Sequence, residues 1–397
     1  MAEQSYHPQA RRSFLTLAGA GLLSIALAGC QVVPSRPGPP PPPEQTGPVR
    51  PPQSPNLPPD ETRNRVAVLA PLSGVNAGVG QSIANAANLA LLDTGGQRIR
   101  ITVYDTAKAG ALAAANEALA DGNGLFLGPL LAEDARAIAP VARSRGVPVI
   151  AFSNDSSVAG NGVYLMGFTP AQSIARVVSF AKDKGVQRFA GLMPQGVYGR
   201  RASQAMIDAV ERSGGRMVAM QEFARTPEGM RAAVAGLNGQ GAYDAVLIAD
   251  SGKTAAAVAA LVRSGPSGRA RVLGTELWST EAGFAQLPAL RGAWFASASD
   301  AMFNQLKTRY RARYGKTPYR LASLGYDAVL LAVRVAADWR IGWPFPERAL
   351  LDQSGFTGVD GAFRFRPNGV AERALQVQQI DPAGPTVVSP APRGFSD

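Results

Sequence analysis

The sequence predicts an α/β protein built from two doubly wound lobes, and three observations carry that expectation. From Val66 onward, short apolar runs rich in β-branched residues alternate with alanine-rich amphipathic stretches, the pattern of a parallel sheet flanked by helices. The runs fall into two consecutive series. Together they occupy about 330 residues, more than one hydrophobic core comfortably serves.

In the first series, strands are read at 65–72 (RVAVLAPL), 98–105 (RIRITVYD), 124–130 (GLFLGPL) and 147–153 (VPVIAFS). Each is a nearly continuous apolar run, as expected of a strand covered on both faces. Helical stretches at 83–93, 109–121 and 132–146 separate them. A second series starts after Phe168, with helices at 171–185, 200–215, 227–239 and 253–265 and strands at 188–194, 216–223, 243–250 and 271–277. The helical segment 303–339 has no strands of its own, so it is expected to return to the first lobe. Residues 361–380 read as a β-hairpin turned at Pro367, Asn368 and Gly369. The expected division is 66–168 plus about 302–348 for the first lobe and 169–300 plus about 350–390 for the second, with hinge crossovers near Gly167 and Ser299.

The start of the chain speaks to compartment. Arg11 to Cys30, RRSFLTLAGAGLLSIALAGC, has a charged pair, an apolar run from Phe14 to Ala28 too short to span a bilayer comfortably, and small residues before a cysteine. Residues 1–29 are therefore read as a signal peptide. Leu27, Ala28, Gly29 and Cys30 resemble the lipobox of bacterial lipoproteins, which implies that the Cys30 thiol takes a diacylglyceryl group and anchors the protein to a membrane. The competing reading is a buried free cysteine after an unrelated apolar stretch. Arg11 and Arg12, followed by Ser13, Phe14 and Leu15, also resemble a twin-arginine export motif, although an arginine pair is equally the charged region of any signal peptide. Gln31 stands where an aspartate would resemble the inner-membrane retention signal, so the outer membrane is the expected anchor site. Residues 31–65 hold 13 prolines, including Pro39 to Pro43. Such a segment is expected to be a disordered spacer that reaches on the order of 100 Å if fully extended in polyproline II. It reads as a tether toward partners or as a generic linker.

Composition narrows the chemistry. If Cys30 is acylated and His7 leaves with the signal peptide, the mature chain has neither thiol nor imidazole. A Ser/His/Asp triad, a Cys/His pair, a histidine or cysteine zinc site and a structural disulfide are then all excluded. Carboxylate-only chemistry remains as a minor option. The expectation is a protein that is not an enzyme and has no catalytic residue, no metal site and no cofactor. The formal charge is +11, but only six of the 40 basic residues are lysines and no basic cluster is interleaved with aromatics. Nucleic acid is not an expected partner.

Five phrases, in order, resemble the type I periplasmic-binding-protein superfamily, the Leu/Ile/Val-binding-like group, across residues 65–385. They are VAVLAPLSGVNAGVGQSIANAANLAL, GPLLAEDARAIAPVARSRGVPVIAFSND, VYGRRASQAMIDAVERSGG, GYDAVLLA and the closing hairpin. Within that superfamily, APLSG, GPLLAEDARAIAPVA and PVIAFSNDSSVAGNGVYLMGF look most like the lipoproteins known as penicillin-binding-protein activators. That resemblance implies a periplasmic lipoprotein that regulates a peptidoglycan synthase. The chain departs from such activators in having a proline-rich linker where they add an N-terminal helical-repeat domain. The alternative is an amino-acid-binding component of an ABC importer, which would sit close to an inner-membrane permease.

In open α/β sheets, ligands bind beyond the carboxyl ends of the strands. That rule selects Ser73 and Gly74, then Gly128 to Leu130, then Ser153, Asn154 and Asp155, with Tyr198 facing them from the second lobe. By resemblance to importers, Glu276 in GTELW would meet a ligand ammonium. With hydroxyl and N–H donors opposite, the site would suit an amino acid, a peptide or a muropeptide. The plainer reading makes Ser73, Gly74 and Gly128 turn residues and Ser153 a helix cap. Trp278, Trp294 and Trp343 could line a groove but are more often core. SGKT at 251–254 lacks the upstream glycine of a phosphate loop, 78–83 lacks the third glycine of a dinucleotide fingerprint, and Ser179 with Lys182 has no companion motif.

Overall fold

The computed structural model describes residues 60, 62–281 and 283–395. The signal segment, His7, Cys30, Gln31 and the proline-rich run to residue 59 lie outside the described residues.

The first lobe runs β1 (Asn64–Ala70), α1 (Ala77–Thr94), β2 (Ile99–Asp105), α2 (Ala111–Ala120), β3 (Leu125–Leu127), α3 (Ala132–Ser144), β4 (Val149–Ala151) and β5 (Val163–Leu165). Its five strands lie in the order β2-β1-β3-β4-β5, all parallel, with Asn64 beside Ile99 and Val66 beside Leu125. Residues two apart on a strand share a face. Val66, Val68 and Ala70 accordingly join one core with α1, while Ala67 and Leu69 join another with Ala115 of α2 and Ile138 of α3.

The second lobe repeats the pattern. It contains α4 (Pro170–Asp183), β6 (Arg188–Pro194), α5 (Val197–Arg212), β7 (Arg216–Phe223), α6 (Pro227–Asn238), β8 (Ala245–Ile248), α7 (Gly252–Arg263), β9 (Arg271–Gly274) and β10 (Trp294–Ser297). On β8, Val246 and Ile248 face the α6 and α7 side, and Ala245 and Leu247 face α4 and α5. The chain then returns to the first lobe through α8 (Asp300–Tyr314) and α9 (Ala322–Val335), whose Phe303, Leu306, Leu324 and Val329 complete the α1 core.

After α9, β11 (Phe356–Gly358), β12 (Gly361–Phe365) and β13 (Ala371–Arg373) form a small antiparallel sheet. The hairpin expected around Pro367–Gly369 is present, with Phe365 opposite Ala371. Its lobe differs from the expected one. Phe356, Phe363, Phe365 and Ala371 are buried in the first lobe's core, the Phe365 ring stands edge-on to Tyr164, and Val370 bridges Leu165. The alternating phenylalanines need an apolar face, and the first lobe's core, Tyr164 included, supplies one. Only β14 (Gln376–Asp381) and β15 (Gly384–Ser389) complete the second sheet, in the order β15-β14-β10-β9-β8-β6-β7. The boundary expected near 350 therefore falls at a third crossover, residues 374–375, in addition to those at 166–169 and 298–299. The α/β class and the two doubly wound lobes are as the sequence predicts. Among the described residues no helix is long and apolar enough to cross a membrane, and no group of three or more His, Cys, Asp or Glu could hold a metal ion.

Candidate binding cleft

A cavity of about 400 Å³ lies between the lobes. Its first-lobe wall comes from segments that follow the carboxyl ends of three parallel strands: Asn76 and Val79 after β1, Leu130 and Leu131 after β3, Phe152 and Asn154 after β4. The second lobe contributes Gln172 and Ser173 from α4, Glu276, Leu277 and Ser279 after β9, and Ser297 from β10. Phe168 and Thr169 of the first crossover, with Arg320 and Leu321 before α9, also line it. This is where open α/β sheets place ligands. A smaller hollow of about 220 Å³, lined by Asn64, Gly124, Trp339 and Trp343 among others, lies at the opposite, amino end of the first sheet.

Glu276 is the chemical centre of the second-lobe wall. It opens a short 3₁₀ turn directly after β9. The Ser173 hydroxyl donates to its Oε2, and the Tyr198 hydroxyl donates to its Oε1 at 2.9 Å while lying 3.0 Å from Thr275 Oγ1. Burial pushes the Glu276 carboxyl above the usual range, and these two hydrogen bonds pull part of the way back. Tyr198 is pushed up by burial and by the charge of Glu276. Thr169 stands at the N-cap position of α4 without a side-chain cap bond and Pro170 opens the helix, so the contact of Glu276 with α4 runs through Ser173, one turn in. Beneath it, the fully buried Trp278 donates its Nε1–H to the Asp250 carbonyl at 2.9 Å and packs on Phe284 and Phe295, which fixes the turn.

The structure distributes the sequence-selected residues unevenly. Leu130, Asn154 and Glu276 line the cavity, and Tyr198 stands behind Glu276. Ser73 and Gly74 are exposed and do not line it; Ser73 is turned to Asp105, whose Oδ1 also accepts from the N–H of Leu72 and of Ala107. Gly128 is a packing residue: its φ is +104° and an added Cβ would lie 2.1 Å from the Leu69 carbonyl oxygen. The Ser153 hydroxyl accepts from the Asp155 N–H at 3.1 Å and is buried away from the cavity. Trp278 and Trp294 are core, and Trp343 is exposed beside the distant hollow.

Asp155 has a different place. Its carboxylate accepts from the N–H and hydroxyl of Ser157, and its Oδ2 pairs with Arg136 of α3 at 2.5 Å and with Arg201 of α5 at 2.6 Å. Arg201 belongs to the second lobe, so this pair spans the rim of the cleft next to Asn154. Burial would raise the carboxyl, but the Ser157 and Arg201 bonds outweigh it and bring it down to about 2.

Gln172, Ser173, Ser297 and Arg320 were not selected by the sequence reading. The signal that could have found the first two is TPAQS, an N-cap and proline marking a helix start just past a crossover. Arg320 lines the cavity, yet its guanidinium is ion-paired with the fully buried Asp360, donates to Ser323 Oγ at 3.1 Å, faces Asp300 at 3.7 Å and stacks over Phe303.

Comparison with known proteins agrees with this architecture. Solved structures with the same fold include a candidate branched-chain amino acid ABC transporter protein of Rhodospirillum rubrum, at 21% identity and TM-score 0.71 over 82% of this chain and 100% of that one. A leucine binding protein of Thermotoga maritima matches at 19% identity and TM-score 0.59, over 83% and 98% of the two chains. A solute binding protein of Rhodopseudomonas palustris BisB5, in complex with 3,4-dihydroxybenzoic acid, matches at 18% and 0.62, over 85% and 98%. An uncharacterized protein of Rickettsia prowazekii is 26% identical over 170 residues, a match that spans 43% of this chain and 46% of that protein. The model of the periplasmic binding protein family matches residues 64–385, and the chain belongs to that family.

Proposed function

We propose that the protein captures a small organic solute between its lobes and acts by binding, not by catalysis. The observation that carries this reading is the cavity of about 400 Å³ at the carboxyl ends of both sheets, with Glu276 braced by Ser173 and Tyr198. The neighbours named for branched-chain amino acids and for 3,4-dihydroxybenzoic acid support a small organic ligand. Anchoring through a lipidated Cys30, at the outer membrane because Gln31 follows, completes the proposal for location. A thermal-shift and calorimetric screen of amino acids, small peptides, muropeptides and aromatic acids tests it. A response lost in Glu276→Ala supports solute binding; a flat response across the panel overturns it.

The second reading, a regulator of a peptidoglycan synthase of the penicillin-binding-protein class, rests on GPLLAEDARAIAPVA and its neighbouring phrases. It is favoured by one feature of the cavity: those same residues put Leu130 and Leu131 on the first-lobe wall, without a hydroxyl for a ligand carboxylate. Under it, a pull-down from periplasmic extract recovers a synthase whose activity rises with the added protein. Absence of both effects removes this reading.

A further inference from the structure

The two walls of the cleft differ in chemistry. Toward the second lobe stands one carboxylate, Glu276, with the hydroxyls of Ser173, Ser279 and Ser297 around the cavity. Toward the first lobe stand Val79, Leu130, Leu131 and Phe152, continued by Phe168 and Leu321, with the amides of Asn76 and Asn154, the Thr169 hydroxyl and the Arg320 guanidinium among them. A free amino acid needs two charged ends satisfied, because a carboxylate taken from water without partners is strongly disfavoured.

Among the described residues, and Arg320 aside, the cavity offers a carboxylate on this side only uncharged donors, the amides of Asn76 and Asn154 and the Thr169 hydroxyl. The Ser73 and Ser153 hydroxyls lie outside the cavity and serve their own loops. Among the described residues Arg320 is the one cation lining the cavity, and the Asp360 carboxylate is paired with it, with Asp300 beside it. The first turn of α3 carries Glu133 and Asp134, which offset its helix dipole. The start of α1, at Asn76, has no acidic first-turn residue. Its partial charge of about half a unit is set against the whole charge of Glu276.

We infer, on the basis of the solute-binding reading above, that the cleft selects an apolar primary amine lacking a carboxylate. The ammonium meets Glu276, and the apolar body lies on the leucine and phenylalanine wall. The cleft therefore discriminates against free amino acids and against carboxylic acids of the same shape, which bring an anion to a wall whose lining cation is already paired.

Three probes of matched size separate these outcomes in calorimetric titrations of the whole protein: 2-phenylethylamine, phenylalanine and 3-phenylpropionate. The expected result is that the amine binds about tenfold or more tightly than either of the others. Its binding should also weaken at least about tenfold in Glu276→Gln. Phenylalanine or the acid binding as tightly as the amine overturns the inference but leaves solute binding standing, and in the case of phenylalanine assigns the α1 start as the carboxylate site. Amine binding unchanged in a folded Glu276→Gln variant also overturns it. No heat with any of the three overturns the inference, and a flat response in the broader panel overturns solute binding as well. The ranking of the three probes on the unaltered protein does not depend on whether the variant folds.

Discussion

Asp155→Asn removes the charge that joins the two lobes at the rim of the cleft while keeping the shape of the side chain. The carboxylate is buried and sits at about 2, against an ordinary 3.8. A carboxyl depressed in the folded state stabilises it fully above the unfolded value, and that stability is lost as pH falls through the folded one. The interval is worth about 2 kcal/mol at neutral pH. Arg136 is half exposed and Arg201 is 29% exposed, so solvent screens part of it, and about 1–2 kcal/mol is the working figure. For a protein of this size that lowers the unfolding temperature by about 2–5 °C. Circular-dichroism melts at pH 7 and pH 3 are the assay. The gap between parent and variant should be present at pH 7 and roughly halved at pH 3. A double-mutant cycle with Arg201→Met then isolates the part that spans the lobes. Equal melting temperatures at pH 7, or a gap that does not shrink on acidification, would refute the reasoning.

Other outcomes follow from the same geometry. Gly128→Ala should destabilise the fold by about 2 kcal/mol or more, because a Cβ cannot share space with the Leu69 carbonyl and the backbone is left-handed there; urea unfolding measures it. Trp278→Ala should cost about 3–5 kcal/mol in the same assay and abolish solute binding, since it empties the floor beneath Glu276. Asp327 is pushed up to about 7 by burial and by the charge of Asp360, so its contribution to stability is full below pH 4 and is lost as pH rises through 7. In Asp327→Asn that loss between about pH 4 and pH 7 should flatten, and an unchanged pH profile would show that another group titrates.

How much of this was legible in the sequence depended on the length and periodicity of each element. β1 and β6 were readable because residues 66–70 and 189–194 are unbroken runs without a polar side chain, with both faces covered. β5, at three residues, was too short to signal itself, and the start of α1 was hidden because Gly78 and Gly80 are poor helix formers. The first-lobe position of β11–β13 depends on the first lobe's core receiving Phe356, Phe363 and Phe365, the last against Tyr164 of β5, contacts that no local pattern encodes. In the cleft, Tyr198 could be picked because it follows a strand end, and Glu276 because its place in GTELW resembles the acidic position of importers. Arg320 could not, since it lies in the connection between α8 and α9, whose place at the cleft no local pattern encodes, and Ser173 is marked by TPAQS only as part of a helix start. Ser73 and Ser153 show the converse: a hydroxyl after a strand is equally able to serve its own loop, and here both do.

The central claim is that a small solute occupies the cavity against Glu276. The most direct test compares thermal shifts of the parent protein and its Glu276→Ala variant across one panel of amines, amino acids, peptides, muropeptides and aromatic acids. A ligand at about 100 times its Kd adds about 2.7 kcal/mol of stability, a shift of several degrees. The account predicts at least one such shift in the parent that disappears in the variant. No shift in the parent, or shifts of equal size in both proteins, would contradict it.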